Sequence, residues 1–323
     1  MRAVLQDAAS NRLYVGEAPE PDVSHGDLLV AVKATALNRA DLLQRRGLYP
    51  PPPGASPILG LEMAGTVLED AGEFRQGDRV MALLPGGGYA ERVRIPAGMA
   101  MRIPDRLAFE QAAAIPEAFL TAWLNLFRLG GLQAGHTVLI HAGASGVGTA
   151  AIQLVREAGA RSVVTAGSAA KLEACLKLGA FRAIDYKAGP FAPAVLEATE
   201  GRGVDIILDF IGAPYWNLNL ASLAVDGRLI VIGTMGGAKV PEIDLGQLLR
   251  RRQQVIGTAL RSRPVQDKIG LTRELAAFAL PRFADGRLAP VVDSVWDWTQ
   301  AEEAHARMEA NLNTGKIVLR VGD

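Results

Sequence analysis

The stretch HAGASGVG, His141 to Gly148, follows the buried apolar run Val138-Leu139-Ile140 and precedes the helical pattern TAAIQLVREAGA. Strand, glycine turn and helix, in that order, suit the pyrophosphate of a dinucleotide. Glycines allow a tight turn, and the first helical turn offers unpaired N–H groups to an anion. The spacing is Gly143-x-Ser145-x-x-Gly148, with serine where a middle glycine is usual, and its hydroxyl can itself donate to phosphate. The same residues would also serve as a plain strand-to-helix turn. A serine-hydrolase elbow, G-x-S-x-G, is excluded because Val147 stands two positions after Ser145.

The next strand, SVVTAGS, ends roughly 20 residues beyond the turn, where a site preferring NADH places an acid for the ribose 2′-OH. Here Gly167 and Ser168 stand at that end, with Lys171 one turn into the following helix. No carboxylate repels a 2′-phosphate, and a hydroxyl and an ammonium are placed to bind one, which points to NADPH. The alternative for Lys171 is a solvated helix lysine.

A third candidate is Tyr49, in RGLYPPPPG. Four consecutive prolines fix φ and remove backbone donors, so they exclude a helix interior or central strand and predict a stiff, extended surface arm. Tyr49 is either a surface aromatic resting on the prolines or a recognition residue presented by them.

The elements that must position these residues are legible as two kinds of pattern. The first ~115 residues alternate short apolar runs (DLLVAVKATAL, EMAGTVLED) with turns such as SHGD and RQGD, a β-rich reading. From Thr137 onward, apolar strands alternate with amphipathic helices, the signature of a doubly wound parallel sheet. The expected fold is α/β, a Rossmann sheet domain over 117–279 plus a β-rich domain over 1–116 and 280–323, with the tail returning to complete the β-rich domain. Lys+Arg and Asp+Glu both number 34, so net charge gives no general attraction to nucleic acid or anionic membrane. The run Arg250 to Arg252 reads as a solvated helix end. No apolar run approaches the roughly 18 residues of a membrane helix, and the amino terminus lacks a signal-peptide pattern. One cysteine, Cys175, permits no internal disulfide; it lies in a helical pattern and reads as a small buried residue in a cytoplasmic protein.

A β-rich domain followed by a nucleotide domain resembles the medium-chain dehydrogenase/reductase superfamily with its metal chemistry removed. In ALNRADLL, Asn38 stands where the zinc enzymes carry a ligand cysteine; in GLEMAG, Leu61 stands where they carry a histidine. The four histidines, His25, His136, His141 and His305, form no pair at metal-ligand spacing, and His141 reads as structural. No metal is expected. Within the superfamily the chain resembles the zinc-free quinone oxidoreductases of the zeta-crystallin type, nearest the tumour-suppressor-inducible branch. The matching stretches run in order along the whole chain: ALNRADLLQRRGLYPPPPGASPILGLE, MALLPGGGYAE, QAAAIPEAFLTAW, VLIHAGASGVGTAAIQL, VTAGS, LRSR and MEANLNTGKIVL.

The resemblance implies a GroES-like β-domain, a homodimer and bound NADPH. It implies that Ser145, Gly146, Val147 and Gly148 hold the pyrophosphate, and that Gly167, Ser168, Lys171 and Tyr186 surround the 2′-phosphate. Met235, Gly236, Leu260, Asn313 and Thr314 would line the nicotinamide half, with Asn38, Tyr49 and Thr121 near the reacting face. Ala170 departs from the family, whose nearest members carry a second lysine there. The implied activity is metal-free transfer of reducing equivalents from NADPH to a quinone or enone. The alternatives are an enoyl-thioester reductase and an NADPH-binding protein with a structural or sensing role.

Overall fold

The computed structural model describes residues 1–7, 9–22, 24 and 26–322, so His25 lies outside the described residues. The chain divides into two compact units, Met1–Leu120 with Arg261–Asp323, and Thr121–Leu260.

In chain order, β1 (Arg2–Gln6) and β2 (Leu13–Glu17) precede β3 (Asp27–Ala36), α1 (Arg39–Arg45), β4 (Glu62–Val67), β5 (Arg79–Leu83), β6 (Arg92–Pro96) and β7 (Ala100–Arg102). Helices α2 (Phe109–Ala113) and α3 (Pro116–Trp123) follow. Next come β8 (Thr137–Ile140), α4 (Gly146–Glu157), β9 (Arg161–Ala166), α5 (Ala169–Lys177), β10 (Arg182–Asp185) and α6 (Phe191–Ala198). The alternation continues through β11 (Val204–Asp209), α7 (Trp216–Ser222), β12 (Leu223–Val231), α8 (Leu245–Arg251) and β13 (Gln254–Gly257). The remainder is α9 (Val265–Asp285), β14 (Val292–Asp297), α10 (Ala301–Glu309) and β15 (Lys316–Arg320).

In the first unit, a seven-stranded sheet runs β14-β15-β3-β4-β5-β7, with β6 also on β3. Strand β3 is long enough to serve two partners on one edge. Asp27–Ala31 pairs antiparallel with β6, and Ala34–Ala36 pairs antiparallel with β15. Its alternating inward residues, Leu28, Val30, Val32 and Ala34, are buried, the period-2 pattern of a strand with one face on a core. Because β15 lies beside the end of β3, Leu37 N donates to Ile317 O at 2.9 Å, and Lys316 comes to rest beside Asn38.

The second unit is a parallel sheet in the order β10-β9-β8-β11-β12-β13, in which the chain's progression across the sheet reverses between β8 and β11. Its strands read as continuous apolar runs because both faces are covered: Leu139, Val163, Ile207 and Leu229 are fully buried. Ligands of such sheets bind outside the carboxyl ends of the strands at the point of reversal.

Helix α9 sits in the first unit along its whole length, although the sequence reading placed its first two-thirds with the nucleotide domain. Its buried stripe, Leu271, Leu275, Ala279 and Phe283, explains this: Phe283 meets Phe119 edge-on at 4.9 Å, and Gly98 leaves room for Ile269.

Candidate functional site

At the carboxyl end of β8 the chain turns sharply into α4. The left-handed residue of this turn is Ala142 (φ 50°), whereas Gly143, Gly146 and Gly148 have no positive φ. At Gly143 and Gly148 the glycine character answers to close approach instead. A Cβ on Gly148 would lie 2.5 Å from Ala142 O, and one on Gly143 would lie 2.8 Å from Val164 Cβ and 3.2 Å from Cys175 Sγ. Ser145 caps α4, its Oγ accepting from Gly148 N at 3.0 Å, so its hydroxyl proton remains to be donated outward. A 12-residue helix with an uncharged first turn and a backbone stripped of side-chain bulk fits a pyrophosphate.

Behind the turn, His141 is fully buried. Asn219 Nδ2 donates to Asp209 Oδ2 at 3.1 Å, so the Asn219 Oδ1 faces His141 Nε2 (2.7 Å), which therefore carries the proton. His141 Nδ1 then accepts from the Thr165 hydroxyl at 3.0 Å. Burial pushes the imidazole down to about 4, against the raising effect of Asn219. A neutral imidazole thus ties the ends of β8, β9 and β11 to α7. Cys175 is buried behind Gly143, and burial pushes its thiol up to about 11.

At the end of β9, Ser168 caps α5 by accepting from Lys171 N at 3.4 Å. A Cβ on Gly167 would lie 2.6 Å from the Tyr186 hydroxyl, so that ring covers the glycine. Gly167, Ser168, Lys171 and Tyr186 are thereby gathered at the ends of β9 and β10. Met235, 54% exposed, and Gly236 follow β12, where Gly236 N donates to Ile211 O at 2.8 Å beyond β11. Leu260 is buried after β13, and Thr121 is buried in α3, its carbonyl accepting from Asn125 Nδ2 at 2.8 Å. The basic run is bonded within the fold: Arg251 Nη2 donates to Leu223 O at 2.7 Å and Arg252 pairs with Asp226 at 2.7 Å.

The first unit carries a different kind of site, a knot of buried charge. Lys316 Nζ donates to Leu37 O, Asn38 Oδ1 and Glu62 Oε1, each at 2.6 Å, which uses all three of its protons. Asn38 Nδ2 donates to Glu62 Oε1 at 2.9 Å and to Ala36 O at 3.2 Å, so the asparagine is saturated by its own fold. Glu62 Oε2 accepts from Glu117 N at 2.9 Å. Asp41 accepts from the backbone N–H of Asn38 (2.7 Å) and of Gly60 (3.1 Å), and from the Tyr89 hydroxyl (3.3 Å), which also meets His305 Nε2 at 3.1 Å. Burial pushes Asp41 up to about 6 despite those N–H groups. Burial, then the neighbouring Glu62, pushes Glu117 up to about 8. Burial holds His305 down at about 4.

The residues at the former metal positions do not fit a zinc ion. Asn38 Oδ1 is taken by an ammonium, and Leu61 is an apolar side chain buried in the core. Among the described residues, no group of three or more His, Cys, Asp and Glu side chains is arranged to hold a metal.

Tyr49 stands before Pro50–Pro53, partly buried, with the Arg261 guanidinium carbon 5.2 Å from its ring centroid. Burial, then Glu117, raises its phenol pKa, while Arg261 works the other way. Asn313 and Thr314 form the turn before β15: Asn313 Nδ2 donates to Gly315 O at 2.8 Å and Thr314 N to Asp293 Oδ1 at 2.9 Å. The sequence reading missed Asp41, Glu62, Glu117, Arg261 and Lys316. Glu62 adjoins Leu61 in GLEMAG, and Arg261 and Lys316 lie in LRSR and TGKIVL, where the local pattern gave them no role.

Residues 24–105 match the alcohol dehydrogenase GroES-like domain, and residues 146–277 match the zinc-binding dehydrogenase family. A human protein, synaptic vesicle membrane protein VAT-1 homolog, is 32% identical over 329 residues, covering 96% of this chain and 83% of that protein. A phenolphthiocerol/phthiocerol polyketide synthase of Mycobacterium tuberculosis is 33% identical over 298 residues; the match covers 90% of this chain and 13% of the synthase polypeptide. The quinone oxidoreductase of Thermus thermophilus, solved alone and with NADPH, superposes with a TM-score of 0.83 at 35% identity, over 99% of this chain and 100% of that one. Two matched domains, relatives above 30% identity along nearly the full length and a shared two-domain architecture lead to one conclusion: the chain belongs to the medium-chain dehydrogenase/reductase family.

Proposed function

We propose that the protein is an NADPH-dependent reductase of the zeta-crystallin type, passing reducing equivalents to a quinone or related conjugated carbonyl without a metal. The observation that carries this reading is the Lys316 ammonium, held at 2.6 Å by both Asn38 Oδ1 and Glu62 Oε1. This committed ammonium sits beside Asn38, the position where the zinc enzymes place a ligand, in a chain whose other unit is a dinucleotide sheet. When bound, NADPH supplies the hydride from C4 of its nicotinamide. Backbone N–H groups at the start of α4 and the Ser145 hydroxyl hold the pyrophosphate, while Ser168, Lys171 and Tyr186 receive the 2′-phosphate. Tyr49 serves as a wall for a flat acceptor. Asn38 acts by keeping Lys316 and Glu62 in register, since its own amide has no hydrogen left to donate.

A second reading, reduction of an enoyl thioester, draws support from the similarity to polyketide synthases. A homodimer is supported by β13, the outer strand of the parallel sheet, where Val255 is exposed, as are Leu245 and Leu249 of the preceding α8. No described helix is long and apolar enough to cross a membrane. The buried, unpaired Cys175 supports a cytoplasmic location for the proposed enzyme.

The test is NADPH and NADH oxidation measured against quinones, enones and enoyl thioesters, with zinc content determined on the same sample. We expect quinone turnover with NADPH, undiminished by EDTA. Turnover of enoyl thioesters alone would transfer the assignment to the second reading, and stoichiometric zinc required for rate would overturn the metal-free mechanism.

A further inference from the structure

The arm that carries Tyr49 has few bonds of its own. Four prolines contribute no N–H group, and among the described residues backbone bonding inside the stretch comes down to Ala55 N donating to Pro52 O at 3.0 Å. Polyproline geometry makes such a segment straight, but without hydrogen bonds to a neighbour it fixes no direction.

Arg261 supplies the direction. The residue is 5% exposed, and its guanidinium donates from Nη1 to Tyr49 O (3.2 Å), from Nη2 to Gln44 Oε1 (2.7 Å) and from Nε to Pro85 O (2.8 Å). Gln44 Nε2 donates onward to Pro57 O at 2.9 Å, so both ends of the proline arm hang from one cation. The guanidinium also lies within cation–π range of the Tyr49 ring. Lys268 Nζ donates to Arg261 O at 3.2 Å and so secures the backbone from which the guanidinium reaches.

No carboxylate pairs with Arg261 among the described residues; its hydrogen-bond partners are carbonyls and an amide. A guanidinium buried without an ion-pair partner is costly to the fold, and a lysine or an apolar residue would fill the volume at lower cost. What neither replacement reproduces is the planar fork, which reaches three chain segments at once in fixed directions.

We propose that Arg261 is a positioning residue for the acceptor, acting through Tyr49: it sets the direction of the proline arm and the height at which the ring meets its substrate. The kinetic part rests on the quinone reading above; the structural part does not.

The experiment compares wild type with Arg261→Met, Arg261→Lys, Tyr49→Ala and the Arg261→Met/Tyr49→Ala double variant. Hydrogen exchange of the peptide spanning residues 43–58 is read beside steady-state kinetics with a soluble quinone. With the arm untied, exchange at Gly47, Leu48 and Ala55 rises in Arg261→Met while β4 and α4 stay protected. The quinone KM rises about tenfold, the equivalent of one charge-assisted hydrogen bond, with a smaller change in kcat. Tyr49→Ala adds nothing further in the double variant, because both changes remove one interaction. Arg261→Lys recovers less than half of the effect on a logarithmic scale. Unchanged exchange in Arg261→Met, additive losses in the double variant, or full rescue by lysine would each overturn the proposal. A wild type that binds NADPH but turns over no quinone would remove the quinone reading while leaving the exchange result to decide the role of Arg261.

Discussion

Around the turn at Gly143–Gly148 the groups offered to a ligand are peptide N–H groups and one serine hydroxyl, backed by a neutral histidine. Around Asn38 they are side chains, and four of them carry or share charge: Asp41, Glu62, Glu117 and Lys316. The first arrangement takes its electrostatics from backbone dipoles, which need no counter-ion and ask of the sequence mainly that side chains be small. The second sets one ammonium against acids in a buried volume, where the charge of Glu62 depends on its partner Lys316. A backbone-built site tolerates changes in charge and fails on added bulk. A site built from charged side chains does the reverse.

Deleting the Lys316 ammonium is the most severe way to break the second arrangement. Lys316→Met leaves Glu62 buried without its cation and is expected to cost about 3–5 kcal/mol of stability in urea unfolding. Adding Glu62→Gln should recover a large part of that loss. No recovery in the double variant would mean that the lysine acts by packing rather than by charge.

The two regions also differ in their response to pH. His141, at about 4 when folded against 6.5 as a free imidazole, contributes stability that is intact above pH 6.5 and lost as pH falls toward 4. The expected loss is about 3 kcal/mol, and His305 adds a similar acid limb from the first unit. Glu117 is raised to about 8 from 4.5, so its contribution is full below pH 4.5 and disappears as pH rises through 8. Glu117→Gln should therefore flatten the fall in stability between about pH 4.5 and 8 and leave the acid limb in place. Parallel curves for the variant and wild type would show that the proton on Glu117 is not coupled to folding.

Bulk is the corresponding probe of the glycine turn. Gly148→Ala places a carbon 2.5 Å from Ala142 O, a strain of about 1–3 kcal/mol that should weaken NADPH roughly five- to a hundredfold. Unchanged NADPH affinity in fluorescence titration would show that the turn does not set the pyrophosphate. Lys171→Ala, which changes charge at the same end of the sheet, should weaken NADPH about tenfold and leave NADH unchanged. Equal losses for both cofactors would count against a 2′-phosphate contact. The smallest effect is expected for Tyr49→Phe, a fall of less than about tenfold in kcat with quinone, because a wall needs a ring and not a hydroxyl. A hundredfold fall at unchanged KM would make Tyr49 a proton donor.

Legibility in the sequence followed the same division. The glycine turn was visible because strand, turn and helix are contiguous, so the local pattern carried the geometry. Even there the left-handed residue proved to be Ala142, since a tight turn can place its strain on a non-glycine when the glycines are needed for clearance. Asn38 was noticed for what it replaces, but not for its bonds to Lys316, because the pairing of β15 with β3 joins segments from opposite ends of the chain. No periodicity within either segment announces that register. Arg261 was equally opaque: an arginine after a strand reads as solvated until the arm it ties is in place.

The pairing of β3 with β15 also has a consequence for synthesis. Residues 121–260 are contiguous and can close their sheet as soon as they leave the ribosome. The sheet begun by β3 to β7 waits for the last strand, an interval of roughly 10–40 s at the usual speed of translation. During that time Glu62 and Asp41 remain in water, since the cation that permits their burial has yet to be made. The unit whose strands emerge first is therefore the last to be sealed, and a nascent chain halted before Lys316 would present an open, acidic half-sheet beside a finished nucleotide domain.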